Sequence, residues 1–218
     1  MMAQDEQVAM PAFSVLDMGC GTGPATLLLA ELSGGHVTAI DLHAPFLAEL
    51  DRRAAEAGLA DRVTTVQTSM DTVPVADGSA DLIWAEGSAY IIGVDTALET
   101  WRPLLSSRGC VVLTEAEWLT DHPAPEAQAF WTPGYPGMRT TAGNVAAFQA
   151  AGWEIRASYV LPDSDWENYY GPLARRLQEL RQEGIPDTDL APVREEIDIR
   201  AAHGSDYSYT AYVLRPRG

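Results

Sequence analysis

The chain has 218 residues, of which 46% are hydrophobic and 21% charged, and its formal net charge is −17. These values fit one globular domain with a sizeable core and exclude a disordered chain. All 14 basic residues are arginine, which excludes a catalytic lysine. The acidic charge argues against DNA or RNA as a partner, because nucleic-acid binders usually carry a basic face.

No targeting or membrane segment is predicted. No apolar run approaches the length of a membrane span, and residues 1–13 lack the basic start and apolar centre of a signal peptide. The two cysteines, Cys20 and Cys110, do not make a disulfide framework in a chain of this length. We therefore expect a cytoplasmic protein with no membrane partner.

The chain begins with the pattern of a doubly wound α/β sheet. An apolar run at residues 13–18 predicts a buried strand, three glycines at 19–23 predict a tight turn, and residues 24–32 predict a helix with Pro24 in its first turn. In such sheets the ligand lies on the glycine turn, beyond the carboxyl ends of the strands. A second predicted strand, residues 36–40, is followed by Asp41, whose carboxylate can accept hydrogen bonds from both ribose hydroxyls of a nucleoside.

The pattern D-x-G-x-G-x-G that starts at Asp17, with Asp41 after it, resembles the class I S-adenosylmethionine-dependent methyltransferases. It differs from the dinucleotide pattern G-x-G-x-x-G, which places a pyrophosphate on the helix N-terminus. The resemblance implies S-adenosylmethionine as cofactor. The cofactor residues that it implies are Asp17, Gly19, Cys20, Gly21, Thr22, Gly23, Asp41, Leu42, Ser69, Met70, Asp71 and Glu86. Whether Ser69 or Asp71 makes the polar contact to adenine stays open.

The remaining elements follow from hydrophobic periodicity. Further strands are predicted at residues 63–67, 80–85, 110–114, 153–161 and 207–214, with a turn at 107–109. Further helices are predicted at residues 44–58, 95–105, 144–151, 165–183 and 188–202. The sequence thus predicts one domain, residues 1–218, with an aromatic and proline-rich loop at 118–142 and a helical insertion at 162–204. The resemblance implies a seven-stranded sheet of Rossmann-like type with an antiparallel last strand.

Three longer stretches narrow the resemblance. The sequences WAEGSAYIIG, LPDSDWENYYGPL and DYSYTAYVL are together similar to a poorly characterised bacterial branch of small-molecule methyltransferases. Relatives usually carry a longer helical segment before the first strand, which covers the site. We expect residues 118–137 and 162–204, or a partner chain, to take that place.

Acidic residues after predicted strands are the candidates for catalysis. Glu86 and Glu115 each end a strand on the ligand side, where a carboxylate can accept a proton or anchor an amine. The alternative is an exposed strand-end carboxylate with no role, which is the more favoured interpretation for Glu117. His122, on the aromatic loop, is the histidine candidate for a base.

Aromatic residues are the candidates for holding the acceptor, since their faces suit a ring or a cation. The substrate-binding candidates are Tyr90, Trp118, Trp131, Tyr135 and Arg139. The helical spacing of Trp166, Tyr169 and Tyr170 favours core packing instead. No group of residues has metal-ligand spacing, so we predict no metal.

These observations predict methyl transfer from S-adenosylmethionine to N or O of a small molecule that is neutral or bears an amine. Two alternatives remain: a module that binds S-adenosylmethionine or a nucleoside without turnover, and a nucleotide-dependent oxidoreductase. The sequence leaves open whether the chain is a homodimer.

Overall fold

The computed structural model describes residues 13–218, and the predictions for residues 1–12 lie outside the described residues. Its strands are β1 (Ser14–Met18), β2 (His36–Asp41), β3 (Val63–Gln67), β4 (Ala80–Ala85), β5 (Leu105–Trp118), β6 (Trp153–Val160) and β7 (Tyr207–Pro216). Its helices are α1 (Pro24–Ser33), α2 (Ala44–Glu56), α3 (Val94–Trp101), α4 (Pro125–Trp131), α5 (Thr141–Ala150), α6 (Asp163–Gln182) and α7 (Asp187–His203). Within residues 13–218, no helix combines the length and apolar character needed to cross a bilayer.

The strands form a seven-stranded mixed sheet in the order β3-β2-β1-β4-β5-β7-β6. Strand β1 pairs in parallel with β2 and β4, and β2 pairs in parallel with β3. Strand β7 runs antiparallel to both β5 and β6. The predicted fold class is confirmed, including the antiparallel last strand and the two insertion helices, α6 and α7, before it.

The described chain divides into two compact units. The first unit comprises residues 13–85 and 99–110, and the second comprises residues 86–98 and 111–218. One core of the first unit is built from small and branched side chains of β1, β2, α1 and α2, including Val15, Val37 and Leu50. Such side chains let helices pack closely on parallel strands that are buried on both faces. The one-domain organisation stays a prediction.

One core of the second unit is largely aromatic. Ala116 of β5, Trp166 of α6 and Tyr207 of β7 are buried together, and Trp118 and Trp131 pack against them. Rings meet edge to face around Tyr207, at centroid distances of 5.2 Å to Trp131 and 6.0 Å to Trp166. This is a favoured geometry for aromatic pairs, so the insertion helices are anchored to the antiparallel strands by rings.

The structure departs from the sequence predictions in two segments. Residues 107–109, predicted as a turn, lie inside β5, and a Cβ on Gly109 would lie 2.7 Å from the carbonyl oxygen of Ala80. Glycine is therefore required there by close backbone approach within a strand and not by a turn. The segment 118–142, predicted to be irregular, contains the seven-residue helix α4, which begins at Pro125, a position where proline is tolerated.

Candidate functional site

The glycine turn, residues 19–23, connects β1 to α1 in the first unit. Gly19, Gly21 and Gly23 have φ angles of 76°, 56° and 79°, in the left-handed region that favours glycine. The N–H groups of Gly19 and Cys20 both donate to the carbonyl oxygen of Ile40, at 2.8 and 2.9 Å. The turn is thus fixed to the end of β2 by backbone hydrogen bonds, at the edge where a ligand is expected.

Asp41 adds a side chain to the same edge. Its Oδ2 accepts the N–H of Gly21 at 2.9 Å, and its Oδ1 accepts the N–H of His43 at 2.8 Å. A carboxylate has about four acceptor positions, so about two remain for hydroxyl groups. The carboxylate is half-buried and fits the ribose role that the resemblance implies.

Asp17 and Cys20 lie beneath the turn and not on its surface. Asp17 is 2% exposed, and its Oδ2 accepts the hydroxyl of Thr26 on α1 at 2.5 Å. Burial raises the pKa of the Cys20 thiol, and the nearby Asp17 raises it further. The thiol is therefore neutral and not a nucleophile.

The other predicted cofactor residues of the first unit lie in the glycine turn, directly after Asp41, and in the segment after β3. The N–H of Thr68 donates to the carbonyl oxygen of Asp41 at 3.2 Å, so the chain after β3 passes beside it. Leu42 is 64% exposed, an unusual position for a large apolar side chain and a suitable one for covering a flat ring. Met70 is buried, while Thr22 and Ser69 are half-buried and Asp71 is exposed.

Glu86, the last predicted cofactor residue, belongs to the second unit and lines a cavity of 770 Å³ there. We call this space the aromatic cavity. It is lined by Glu86, Gly87, Tyr90, Thr114, Phe130, Trp131, Leu161, Asp165, Trp166, Asn168, Tyr169, Tyr170, Glu196 and Tyr209. Seven of these residues are aromatic and three carry carboxylates. The volume is typical of a site for a small organic molecule.

Sequence reasoning assigned only part of this wall. Glu86, Tyr90 and Trp131 were predicted site residues, and the structure brings them to the cavity. Trp166, Tyr169 and Tyr170 were expected to be core. Trp166 is buried in the aromatic core and also lines the cavity, Tyr170 packs against that core and lines the cavity, and Tyr169 lines the cavity with 55% of its surface exposed. Helical spacing predicts that these three side chains lie on the same face of a helix. It does not predict whether that face packs against other elements or borders a cavity. Phe130, Asp165, Asn168 and Glu196 carried no sequence signal that distinguished them from surface residues.

Glu115 is buried next to this wall. It is 0% exposed, and its Oε1 accepts the hydroxyl of Tyr135, whose ring lies 5.6 Å from that of Tyr90. Its Oε2 is buried and has no hydrogen-bond partner among the described residues. Burial raises the pKa of Glu115 from 4.5 to about 7, opposed by the hydrogen bond from Tyr135. Glu115 can therefore change protonation state near neutral pH.

Arg139 and Glu117 belong to a separate hydrogen-bonded network. Arg139 donates two hydrogen bonds of 2.8 Å to Asp95, and these bonds lower the pKa of the Asp95 carboxyl. Arg139 also donates to Asn144 at 2.6 Å, and Asn144 donates to the buried Glu117 at 2.6 Å. Tyr212 donates to the same Glu117 oxygen at 2.5 Å. Arg139, a predicted substrate residue, is thus engaged by protein groups and does not line the cavity.

His122 and Trp118 also lie outside the cavity lining, as do the predicted residues Tyr135 and Glu115 described above. His122 is exposed, and its backbone N–H donates to the hydroxyl of Thr120 at 3.2 Å. Trp118 packs edge to face on Tyr207, at a centroid distance of 6.4 Å, in the aromatic core. The described structure therefore gives His122 no contact with the cavity wall and gives Trp118 a place in the core. Among residues 13–218, no His, Cys, Asp and Glu side chains form a group of three that could hold a metal ion.

Comparisons with known proteins agree with this geometry. A family model described as a methyltransferase domain matches residues 15–109, which include the glycine turn and Asp41. The chain therefore resembles the methyltransferase domain family over these residues, which are fewer than half of its length. The predicted family and the predicted cofactor, S-adenosylmethionine, are confirmed at this level. Which residues hold the cofactor stays a prediction.

Several proteins that are similar to this chain are known by sequence or structure. The uncharacterized protein YjhP of Escherichia coli (strain K12) is 29% identical over 195 residues, which is 87% of this chain and 77% of that protein. A dimethylglycine N-methyltransferase of Parasynechococcus marenigrum is 37% identical over 103 residues, 46% of this chain and 36% of that protein. A methyltransferase of Geobacter sulfurreducens, solved with S-adenosyl-L-homocysteine, has the same fold, with a TM-score of 0.80 at 23% identity over 95% of this chain and 86% of that one.

Proposed function

We propose that this methyltransferase transfers a methyl group from S-adenosylmethionine to a nitrogen or oxygen atom of a small-molecule acceptor. The observation that carries the proposal is the aromatic cavity, whose 770 Å³ suits a small molecule. The cavity occurs in a chain that also has the complete glycine turn and Asp41. A module that only bound a nucleoside at the glycine turn would have no use for an aromatic cavity of this size in the second unit.

The cofactor supplies an electrophilic methyl group when it is bound. The protein then has to hold the two reactants and exclude water. We assign cofactor binding to the glycine turn, to Asp41 as the acceptor of ribose hydroxyls, and to Leu42 and Met70 beside the adenine. We assign acceptor binding to the wall of the aromatic cavity, in which Tyr90, Trp131 and Tyr169 offer ring faces.

Proton removal is assigned to the pair of Tyr135 and Glu115. Tyr135 does not line the cavity itself, but its ring lies 5.6 Å from that of Tyr90, which does. An acceptor hydroxyl or ammonium beside Tyr90 that has to lose a proton would pass it to the Tyr135 oxygen, while the Tyr135 proton moves to Glu115 Oε1. A base that titrates near pH 7 is well matched to this task at neutral pH. Glu86 lines the cavity itself and is a second candidate for contact with the acceptor.

The partners that we propose are small molecules and no nucleic acid. The formal charge of −17 supports this choice, since a phosphate backbone would be repelled. Neither Cys20 nor Cys110 forms a disulfide bond in the described structure, which supports a cytoplasmic location. Whether two chains associate stays open.

Replacement of Asp41 by alanine tests the cofactor half of the proposal. The variant should bind S-adenosylhomocysteine about 1–3 kcal/mol more weakly, because ribose hydroxyls lose their acceptor. Calorimetry measures the affinity, and the melting temperature shows whether loss of the hydrogen bond to Gly21 has disturbed the turn. Asp61→Ala, which removes an exposed carboxylate of the same unit, is the matched control.

Two outcomes contradict the proposal. Unchanged affinity in Asp41→Ala, with NADH bound more tightly than S-adenosylmethionine, would support the oxidoreductase alternative. Tight binding of S-adenosylmethionine without formation of S-adenosylhomocysteine across panels of amines, phenols and carboxylic acids would support a binding module without turnover.

A further inference from the structure

All charged side chains that line the aromatic cavity are acidic. Glu86, Asp165 and Glu196 place three carboxylates on its wall, and none of its lining residues among those described is arginine or histidine. Lysine is absent from the whole chain. An anionic group that entered this space would lose its hydration next to carboxylates. It would meet no cationic side chain on the described wall, so its burial would be costly.

One arginine does lie against the wall, but its donors are used elsewhere. The Cζ atom of Arg200 lies 4.1 Å from the centroid of the Trp166 ring. Its guanidinium donates to Asp163 at 2.8 Å and to the carbonyl oxygens of Tyr207 and Gly204 at 2.9 and 3.1 Å. Arg200 is therefore committed to closing the end of α7 and is not presented to a ligand in the aromatic cavity.

The walls of the cavity attract positive charge. Tyr90, Phe130, Trp131, Trp166, Tyr169, Tyr170 and Tyr209 offer ring faces or edges, and a cation near a ring face is stabilised by the ring quadrupole. Glu196 is positioned by the hydroxyl of Tyr170, which donates to it at 3.2 Å. A ring wall with a fixed carboxylate is the arrangement that recognises substituted ammonium ions.

We propose that the acceptor is an amine without a carboxylate or phosphate group, and that the methylated product is held as an ammonium ion in the aromatic cavity. This inference rests on the proposed function. The nitrogen lone pair forms the new C–N bond, the S–CH₃ bond breaks, and its electron pair stays on sulfur. Positive charge thus passes from sulfur to nitrogen, and the cavity stabilises it where it appears.

The proposed acceptor differs from the compound that names one relative of this chain. Dimethylglycine, which names one relative, carries a carboxylate beside its amine. The described wall offers no cationic side chain to pair with that group. The acceptor of this chain should therefore differ from an amino acid in lacking the anionic end.

Binding of three probes tests the inference without turnover. Choline carries a quaternary ammonium, 3,3-dimethylbutan-1-ol has the same shape without charge, and glycine betaine adds a carboxylate to the ammonium. We expect choline to bind the wild-type protein about tenfold more tightly than either of the others, a difference of about 1.4 kcal/mol. Calorimetry with and without saturating S-adenosylhomocysteine gives the three affinities.

Paired variants assign the preference to the cavity. Glu196→Gln keeps the acceptor for Tyr170 but removes the charge, and Tyr169→Leu removes an exposed ring with little risk to the fold. Each variant should bind choline about threefold or more weakly than the wild type does, and its affinity for the uncharged isostere should be unchanged. The controls are Glu195→Gln on the same helix and Tyr159→Leu, an exposed tyrosine of β6; neither lines the cavity.

Equal affinity for choline and its uncharged isostere, or tighter binding of glycine betaine, would overturn the inference. So would an unchanged choline preference in both cavity variants. If S-adenosylhomocysteine still binds in these experiments, the cofactor half of the proposed function stands and only the acceptor class is wrong. Failure of the wild type to bind S-adenosylhomocysteine would instead overturn the proposed function.

Discussion

The glycine turn of the first unit is shaped by its backbone, whereas the aromatic cavity of the second unit is shaped by side chains. In the turn, backbone N–H groups of residues 19 and 20 share one carbonyl oxygen, and the N–H of Gly21 meets Asp41. In the cavity, rings from α4, α6 and β7 and from the segment after β4 form the wall. A backbone turn has little freedom to adjust when an atom is added, while a wall of several side chains can lose one ring and remain a cavity.

The glycine turn and the second unit should therefore respond differently when single residues are replaced. The turn should respond to very small changes at single positions, and the response should appear in stability and in cofactor affinity together. The second unit should respond to changes of charge and protonation, because its buried carboxylates lie among aromatic and hydroxyl groups. The expected effects decrease in the order of the three comparisons that follow.

The largest effect is expected for Gly23→Ala. A Cβ at this position would lie 2.1 Å from Leu50 Cδ1, and the φ angle of 79° is unfavourable for alanine. Strain and overpacking together should lower the free energy of unfolding by about 4 kcal/mol. Chemical denaturation measures this value.

Gly21→Ala is the matched control for that change. Gly21 has a φ angle of 56°, but nothing lies within 4 Å of a Cβ built there. Its cost should be limited to backbone strain of about 1–2 kcal/mol. Equal losses in the two variants would contradict the role given to the contact with Leu50.

The second effect concerns the pH dependence of stability in the second unit. Because burial raises the pKa of Glu115 to about 7, the folded protein binds a proton at pH values where the unfolded chain has released it. Stability from this group is therefore full below pH 4.5 and falls as the pH rises toward about 7. Glu115→Gln removes this dependence and should be about 3 kcal/mol more stable than the wild type above pH 8, with no difference below pH 4.5.

Thermal or chemical unfolding at a series of pH values checks this result. Glu126→Gln, which neutralises an exposed carboxylate of α4, should follow the wild-type pH profile. A Glu115→Gln profile parallel to that of the wild type would mean that the pKa of Glu115 is the same in the folded and the unfolded protein, which would contradict the effect assigned to burial.

The third effect compares one hydroxyl in each unit. Thr26→Val removes the donor to the buried Asp17, and Tyr212→Phe removes a donor to the buried Glu117. Each should cost about 2 kcal/mol, because a hydrogen bond to a buried carboxyl group is lost. Only Thr26→Val should also weaken binding of S-adenosylhomocysteine, since Asp17 lies beneath the turn. Weaker binding of S-adenosylhomocysteine in Tyr212→Phe but not in Thr26→Val would contradict the assignment of cofactor binding to the first unit.

The fold could be predicted from sequence because its signals are local. Apolar runs, glycines at residues 19–23 and acidic strand ends recur at spacings that backbone geometry imposes. The family resemblance supplied the antiparallel last strand and the cofactor. The errors arose where a local signal has two structural causes: Gly109 sits within a strand because backbone approaches closely, although glycine there also fits a turn.

The acceptor site could be predicted only in part. Glu86 and Tyr90 follow β4 directly, so their place could be inferred from strand order, as ligands of such sheets lie beyond strand ends. Arg139 and His122 were chosen for their chemistry and for their place in the loop at 118–142, and the structure pairs Arg139 with Asp95 and leaves His122 exposed. A residue type indicates what a side chain can do, but its partners determine whether that capacity is already used.

The sequence by itself determined the architecture, the glycine turn and the position of Asp41, because these depend on φ angles, periodicity and chain order. Only the tertiary structure decided which rings and carboxylates share a cavity, which arginines are already paired, and that Glu115 is buried with a raised pKa. The physical reason is that burial and charge pairing arise from residues far apart in the chain. Glu196 and Tyr170, or Glu115 and Tyr135, acquire their properties only when folding brings them together.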